Sequence, residues 1–234
     1  MTTRFAVYLV PPAQSAFFRL GSAVLGWDSR AGQPVQQPPG LRPEWTAKAG
    51  PFGFHLTVTE AFECDPADWD DIERELRALC ACLSPDAHLA LSGGRTEVWD
   101  GGEVIVLRYE ASEALVVLQT LLVARLARFV TGSSFDDLVR EDPSKYAAPH
   151  ERARLRALRT PRGLDTWTPH FTLVEPYEGE DAEALASDLE ARFEGFGTLD
   201  FDRVTLMRQE DDGPYRAVLD VVVGRERDVT PGKA

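Results

Sequence analysis

Cysteine is scarce in this chain. Of 234 residues only Cys64, Cys80 and Cys82 are cysteines, an odd and small number that excludes a disulfide-stapled scaffold. Cys80 and Cys82 lie two positions apart in a segment of helical period and so face different sides. No second Cys/His pair has ligand spacing, and His88 alone does not complete a zinc site. The three read as small side chains in a reducing compartment. Long apolar runs are lacking as well. Phe5 to Val10 stops at Pro11-Pro12, too short for a signal peptide or a membrane span. No later stretch reaches the ~20 apolar residues a span needs, so a cytoplasmic location is expected. Positive charge is in deficit: 25 Lys and Arg stand against 38 Asp and Glu, a formal charge of −13. Such a surface repels phosphate backbones and anionic lipid, which argues against general DNA binding and membrane attachment but leaves room for a local basic pocket. Low-complexity linkers are missing too. With 44% hydrophobic and 27% charged residues, the chain reads as one integrated body large enough to bury a core.

The pattern is α+β. Phe5–Val10 is rich in β-formers and reads as a strand. Ser15 can cap a helix with Phe17, Leu20 and Val24 on one stripe. Residues 27–50 carry Pro34, Pro38, Pro39 and Pro43 and read as a long loop, a length often tied to function. Phe54–Thr59 alternates as a strand does. Asp65-Pro66 then opens a helix whose Trp69, Ile72, Leu76, Leu79 and Leu83 share a face. Leu89–Val98 and Val104–Tyr109 form a hairpin around Asp100-Gly101-Gly102, and a helix follows over 112–130. Residues 132–160 are polar and helical in pieces. Pro169–Val174 is strand-like, and Leu185, Leu189 and Phe193 mark a helix ending near Gly195. Leu199–Met207 and Arg216–Val223 make a last pair of strands, with a frayed tail after Gly224.

The chain repeats itself. Each half has a histidine-bearing strand, a helix and a hairpin, which predicts a duplicated α+β unit. A single bilobal domain over 1–234 is expected, with lobes built around 50–130 and 165–224 and strand 4–10 joining a sheet. The strands carry one motif twice: His55-Leu56-Thr57-Val58 and His170-Phe171-Thr172-Leu173. Positions i and i+2 of a strand share a face. His55 with Thr57, and His170 with Thr172, therefore point opposite to their aliphatic and aromatic neighbours. Chance would produce two such pairs among four histidines with a probability of about 2%. The pairs are thus set apart from His88 and His150, which read as structural.

These motifs resemble the two-histidine (2H) phosphoesterase superfamily, which includes bacterial RNA ligase-like proteins and cyclic phosphodiesterases. The N-terminal quarter is most similar to an uncharacterised phosphonate-metabolism branch. The similarity runs through Arg4-Phe5-Ala6-Val7-Tyr8 with Pro11-Pro12, Gly21-Ser22-Ala23 with Leu25-Gly26, Pro43-Glu44-Trp45-Thr46, and Gly53-Phe54-His55. Leu56 and Pro169 depart from that branch's pattern. The resemblance implies two antiparallel sheets facing across a central cleft, with helices outside. It also implies two histidines meeting one phosphate at the base of the cleft, and no metal or organic cofactor.

Chemistry assigns the same side chains the same work. Opening a cyclic phosphodiester needs one proton removed and one delivered. Imidazole titrates near pH 6.5, so one ring can be neutral while its partner is charged. His55 and His170 are the expected acid/base pair, and Thr57 and Thr172 the donors to phosphate oxygens. Tyr8, Tyr177, Arg154 and Arg162 are secondary candidates for substrate binding. Arg152, Arg156 and Arg159 belong to the same basic run, Phe62 matches Tyr177 in the first half, and Trp45 and Trp167 are candidates for the rim. The expected activity is metal-independent hydrolysis or transfer of a small cyclic phosphodiester, a nucleoside 2′,3′-cyclic phosphate or a ribose cyclic phosphate. Alternatives are an RNA-end processing or ligase-like enzyme acting on a short RNA end, and a non-catalytic module binding a phosphorylated ligand. A monomer is expected.

Overall fold

The computed structural model describes residues 2–84, 86–162 and 166–224. Strand β1 is Thr3–Leu9. Helix α1, Ala16–Leu25, starts where the Ser15 side chain accepts the Phe18 N–H and stops at left-handed Gly26. The proline-rich stretch folds in part into a ribbon, β2 (Trp27–Asp28) with β3 (Gln33–Pro34). Next come β4 (Leu56–Thr57), β5 (Phe62–Cys64) and α2 (Trp69–Cys82), which buries Ile72, Leu76, Leu79 and Cys80. Cys82 is exposed, as the two-residue spacing requires. The expected hairpin is β6 (Leu89–Trp99) with β7 (Val104–Ala111), followed by α3 (Glu113–Leu126) under a Ser112 cap. Strand β8 (Gly132–Ser133) leads to α4 (Ser134–Glu141) and α5 (Pro149–Leu158), the pieces expected in the polar region. Strand β9 (His170–Val174), α6 (Ala182–Arg192, capped by Asp181), β10 (Leu199–Phe201), β11 (Arg203–Glu210) and β12 (Arg216–Val222) complete the chain. The tail after Gly224 lies outside the described residues.

The α+β class stands, with one change in the sheets. Eight strands run β10-β6-β7-β9-β4-β1-β11-β12, with β5 and β8 joined at β1. The two expected sheets are therefore hydrogen-bonded into one, four strands on each side of a seam between β4 and β9. Among the described residues the one pair bridging that seam is Leu56 opposite Phe171. The hairpins also cross over relative to lobes built around 50–130 and 165–224. Hairpin β6–β7 follows the first motif in sequence but pairs with β9. Hairpin β11–β12 follows the second motif and pairs with β1. The segment expected as one strand from 199 to 207 breaks at Asp202, because β10 extends one half through β6 and β11 extends the other through β1.

The core face of the seam is aromatic. Phe54 and Phe171, each beside a motif histidine, stack at 4.8 Å with 26° between their planes. Phe17 of α1 meets both edge-on, at 4.9 and 5.1 Å. Such pairs add about 0.5–1.5 kcal/mol each beyond the area they bury. Gly21 makes the approach of α1 possible, since a Cβ there would stand 2.2 Å from the Phe54 ring. Helix α1 is thereby locked over the two strands that carry the histidines. A second tie is Arg30, whose guanidinium holds the Val10 and Pro11 carbonyls and the Asp220 carboxylate, anchoring the loop after α1 to the end of β1 and to the edge strand β12.

Candidate active site

Leu56, Phe54 and Val58 are buried, as are Phe171 and Leu173, so the alternating residues His55, Thr57, His170 and Thr172 take the opposite face. All four line one cavity of about 670 Å³. Their arrangement follows from the seam. Leu56 faces Phe171 in antiparallel register, and one residue further each way sets Thr57 beside His170 and His55 beside Thr172. Each histidine thus neighbours the other motif's threonine. The two histidines occupy diagonal corners, where strand neighbours stand about 7–8 Å apart.

The rings are oriented by the backbone. Nδ1 of His55 donates to the Gly53 carbonyl at 2.8 Å, and Nδ1 of His170 donates to the Thr168 carbonyl at 2.7 Å. A carbonyl only accepts, so each Nδ1 carries a proton and each neutral ring has Nε2 as its acceptor. Gly53 is required by this geometry. Its φ is 75° and its ψ 175°, and a Cβ would lie 2.5 Å from that of Ser29. His55 Nε2 accepts from the Thr57 hydroxyl at 3.2 Å. Burial pushes His55 down to about 4, and the charge of His170 adds to this against the Gly53 hydrogen bond. His170 is also lowered, first by burial and then by Arg162 and Arg108, while the Thr168 carbonyl and Glu97 oppose. Both rings are neutral at neutral pH.

Each ring rests on an aromatic neighbour. Tyr8, 2% exposed, stacks on His55 with centroids 3.7 Å apart and 17° between planes. Trp99 meets His170 edge-on at 4.7 Å, its indole N–H held by Glu97. Burial, together with Tyr215 and Glu60, holds the Tyr8 phenol well above its ordinary range, so it stays protonated. Trp167 donates to the Thr57 carbonyl at 2.9 Å and lines the cavity, in keeping with a rim role.

Of the secondary candidates, Tyr8 and Arg162 line the cavity, whereas Tyr177 and Arg154 do not. Tyr177 packs against Trp45 at 5.0 Å, and its hydroxyl accepts the Asp181 N–H, at the foot of α6. Trp45 goes with it, away from the cavity lining, and carries Arg42 over its ring. Arg154 is half-buried on α5 and reaches the Thr166 hydroxyl at 3.1 Å, bracing a residue of the wall. Phe62 is core, beside Phe5. Sequence reasoning missed Arg108, Trp99, Lys48 and Glu60, all on the lining. Arg108 is the cross-strand partner of His170, a neighbour that only the exchange of hairpins creates.

The model of a family described as "Protein of unknown function (DUF1045)" matches residues 65–216. The chain belongs to this family. The matched segment contains the second motif and begins after the first. A curated relative, "Ribose 1,5-bisphosphate phosphokinase PhnN" of Laribacter hongkongensis (strain HLHK9), is 32% identical over 140 residues, which are 53% of this chain. The chain spans only 34% of that relative's length. Among solved structures, one described as a phosphoesterase superposes with a TM-score of 0.51 at 15% identity, covering 96% of this chain and all of that one. Apo LigT of E. coli gives 0.50 at 12% identity, covering 96% and 99%. At these identities the likeness is one of fold, and the fold is the one that the paired motifs predict. No helix among the described residues is long and apolar enough to cross a membrane.

Proposed function

We propose that this DUF1045 protein is a phosphoesterase that opens a small cyclic phosphodiester on a ribose, using His55 and His170 as acid and base. The observation that carries the reading is the seam: two copies of one motif, more than a hundred residues apart, set four polar side chains at the corners of a square with both Nε2 atoms free of backbone. Displacement at phosphorus places entering and leaving oxygens on opposite sides, and diagonal histidines suit that demand. One neutral ring takes a proton from water as its oxygen attacks phosphorus. The ring P–O bond breaks, and the other imidazole, protonated, gives its proton to the leaving ribose oxygen. The product is a phosphomonoester. An anion held between the rings raises the pKa of its neighbours, which supplies the charged partner that burial alone disfavours. Thr57 and Thr172 donate to the non-bridging oxygens, whose charge must be held in the transition state.

Two further points support the reading. The fold is shared with a structure described as a phosphoesterase. The curated relative, named for a ribose bisphosphate kinase, joins a segment like this one to phosphorylated-ribose chemistry. The 234 residues contain no G-x-x-x-x-G-K-[S/T] phosphate loop. The test is incubation of purified protein with nucleoside 2′,3′-cyclic phosphates and ribose cyclic phosphates, with and without EDTA. Appearance of a phosphomonoester in both conditions is the expected result. No turnover across the panel, or turnover only with added divalent metal, overturns the proposal.

A further inference from the structure

The seam is symmetric in its four motif side chains but not in its charge. On the β4 side the neighbour across the strand from Thr57 is Tyr8. On the β9 side the neighbour of His170 is Arg108. Arg108 is poorly satisfied. Among the described residues its Nε is buried with no partner, and its one ion contact is Glu97 Oε1 at 3.5 Å. That carboxylate is already occupied, taking Arg95 at 2.8 Å on one oxygen and the Trp99 indole at 2.9 Å on the other. A guanidinium carries five donors, so Arg108 brings most of its capacity to the cavity wall unused. Arg162 lines the same cavity. Its nearest carboxylate among the described residues, Glu60, stands off at 4.0 Å, and its guanidinium lies over Phe135 at 5.6 Å. Two loosely paired guanidiniums in one cavity stand out on a chain of charge −13.

The aromatic rings of the cavity are engaged differently. Tyr8 and Trp99 support the histidines, Phe52 stacks on Tyr215, and Phe135 sits between Tyr146 and Arg162. What the wall holds in reserve is charge.

We propose that Arg108 and Arg162 form a second anion subsite on the His170 side of the cavity, so that the substrate is a ribose cyclic phosphodiester bearing a further phosphate monoester. This deepens the phosphoesterase reading above and rests on it. The cyclic group lies on the histidine–threonine square, and the monoester is bound by the guanidiniums beside it. Guanidinium suits this, because its donor fork matches a phosphate bidentately. The second group also fixes which ester oxygen faces which histidine, since Arg108 stands across the strand from His170.

The experiment compares two probes, adenosine 2′,3′-cyclic phosphate and the same molecule with a 5′-phosphate. In the native protein kcat/KM should favour the 5′-phosphorylated probe by about 10–100-fold, the range of a charge-assisted hydrogen-bonded contact. That ratio should fall by about 10-fold in each of Arg108→Met and Arg162→Met, and Arg108→Lys should recover part of it. Arg108→Lys keeps the charge and the aliphatic stem, so it still reports if Arg108→Met fails to fold. A ratio near one in the native protein, with both probes turned over, overturns the subsite and leaves the phosphoesterase reading intact. A large ratio that neither arginine variant changes overturns the assignment to these residues. Failure to turn over either probe or any cyclic phosphate of the panel overturns the underlying reading, and the subsite with it.

Discussion

His55 and His170 are held alike and surrounded differently. Each gives its Nδ1 proton to the carbonyl two residues earlier, and each rests on a large aromatic ring. Yet His55 stacks flat on Tyr8 and accepts from Thr57, whereas His170 meets Trp99 edge-on and stands beside Arg108. The shared part comes from the repeated motif and the backbone around it. The differing part comes from strand β1 on one side and hairpin β6–β7 on the other, which are not copies of each other. The repeat accounts for the paired-histidine geometry, and the differing flanks make that geometry asymmetric.

The most forceful way to break this comparison is to remove one imidazole at a time. His55→Ala and His170→Ala should each lower kcat/KM on a cyclic phosphate by about 10²–10⁴-fold. The double variant should lose much less than the product of the two, because one proton transfer cannot proceed without its counterpart. Steady-state kinetics of the three variants, with circular dichroism to confirm folding, measures this. If one histidine proves dispensable, the square is not a catalytic pair, whatever its symmetry.

Much of the shared part was legible in the sequence. The His-x-Thr spacing fixes which side chains share a face, and Gly53 and Gly21 both fall in the stretches quoted for the resemblance. Their roles, as a backbone turn aiming a carbonyl and as a gap for the Phe54 ring, needed coordinates. What the sequence hid is what long-range pairing decides. Local periodicity says that residues 89–111 form a hairpin, but not that it crosses to β9 and carries Arg108 to His170. For the same reason Arg154 and Tyr177, close to the second motif along the chain, do not reach the cavity, because α5 and the foot of α6 turn them aside. The expected strand over 54–59 shrinks to Leu56–Thr57 because β9 meets it at a single pair.

A smaller effect sharpens the comparison of the two carbonyl acceptors. Gly53 occupies a backbone region open to glycine alone, with Ser29 against it. Gly53→Ala should therefore destabilise the fold by about 1–3 kcal/mol and disturb His55. Thr168 supplies its carbonyl from main chain that any residue can provide, so Thr168→Ala should leave stability within about 0.5 kcal/mol. Urea denaturation of the two variants measures the contrast. Equal losses would mean that the turn before His55 is no more constrained than the one before His170.

The last expected effect is on the pH dependence of stability, and its sign is fixed. His55 titrates near 4 in the folded chain, against about 6.5 when unfolded, burial being the main cause. Between those values the unfolded state binds a proton that the folded state does not, so stability falls as pH drops from about 6.5 to 4. Above 6.5 the contribution is fully present, and below 4 it has gone. His170 is displaced in the same direction. Thermal melts should therefore show native Tm falling across this window by more than that of His55→Gln or His170→Gln, at about 2–4 °C per kcal/mol for a chain of this size. Carboxylates titrating in the same window act on all three proteins, so the difference between curves isolates the imidazoles. A native curve parallel to that of His55→Gln would mean that the ring is solvated rather than buried against Tyr8, and the stacked, neutral His55 on which the comparison rests would have to be given up.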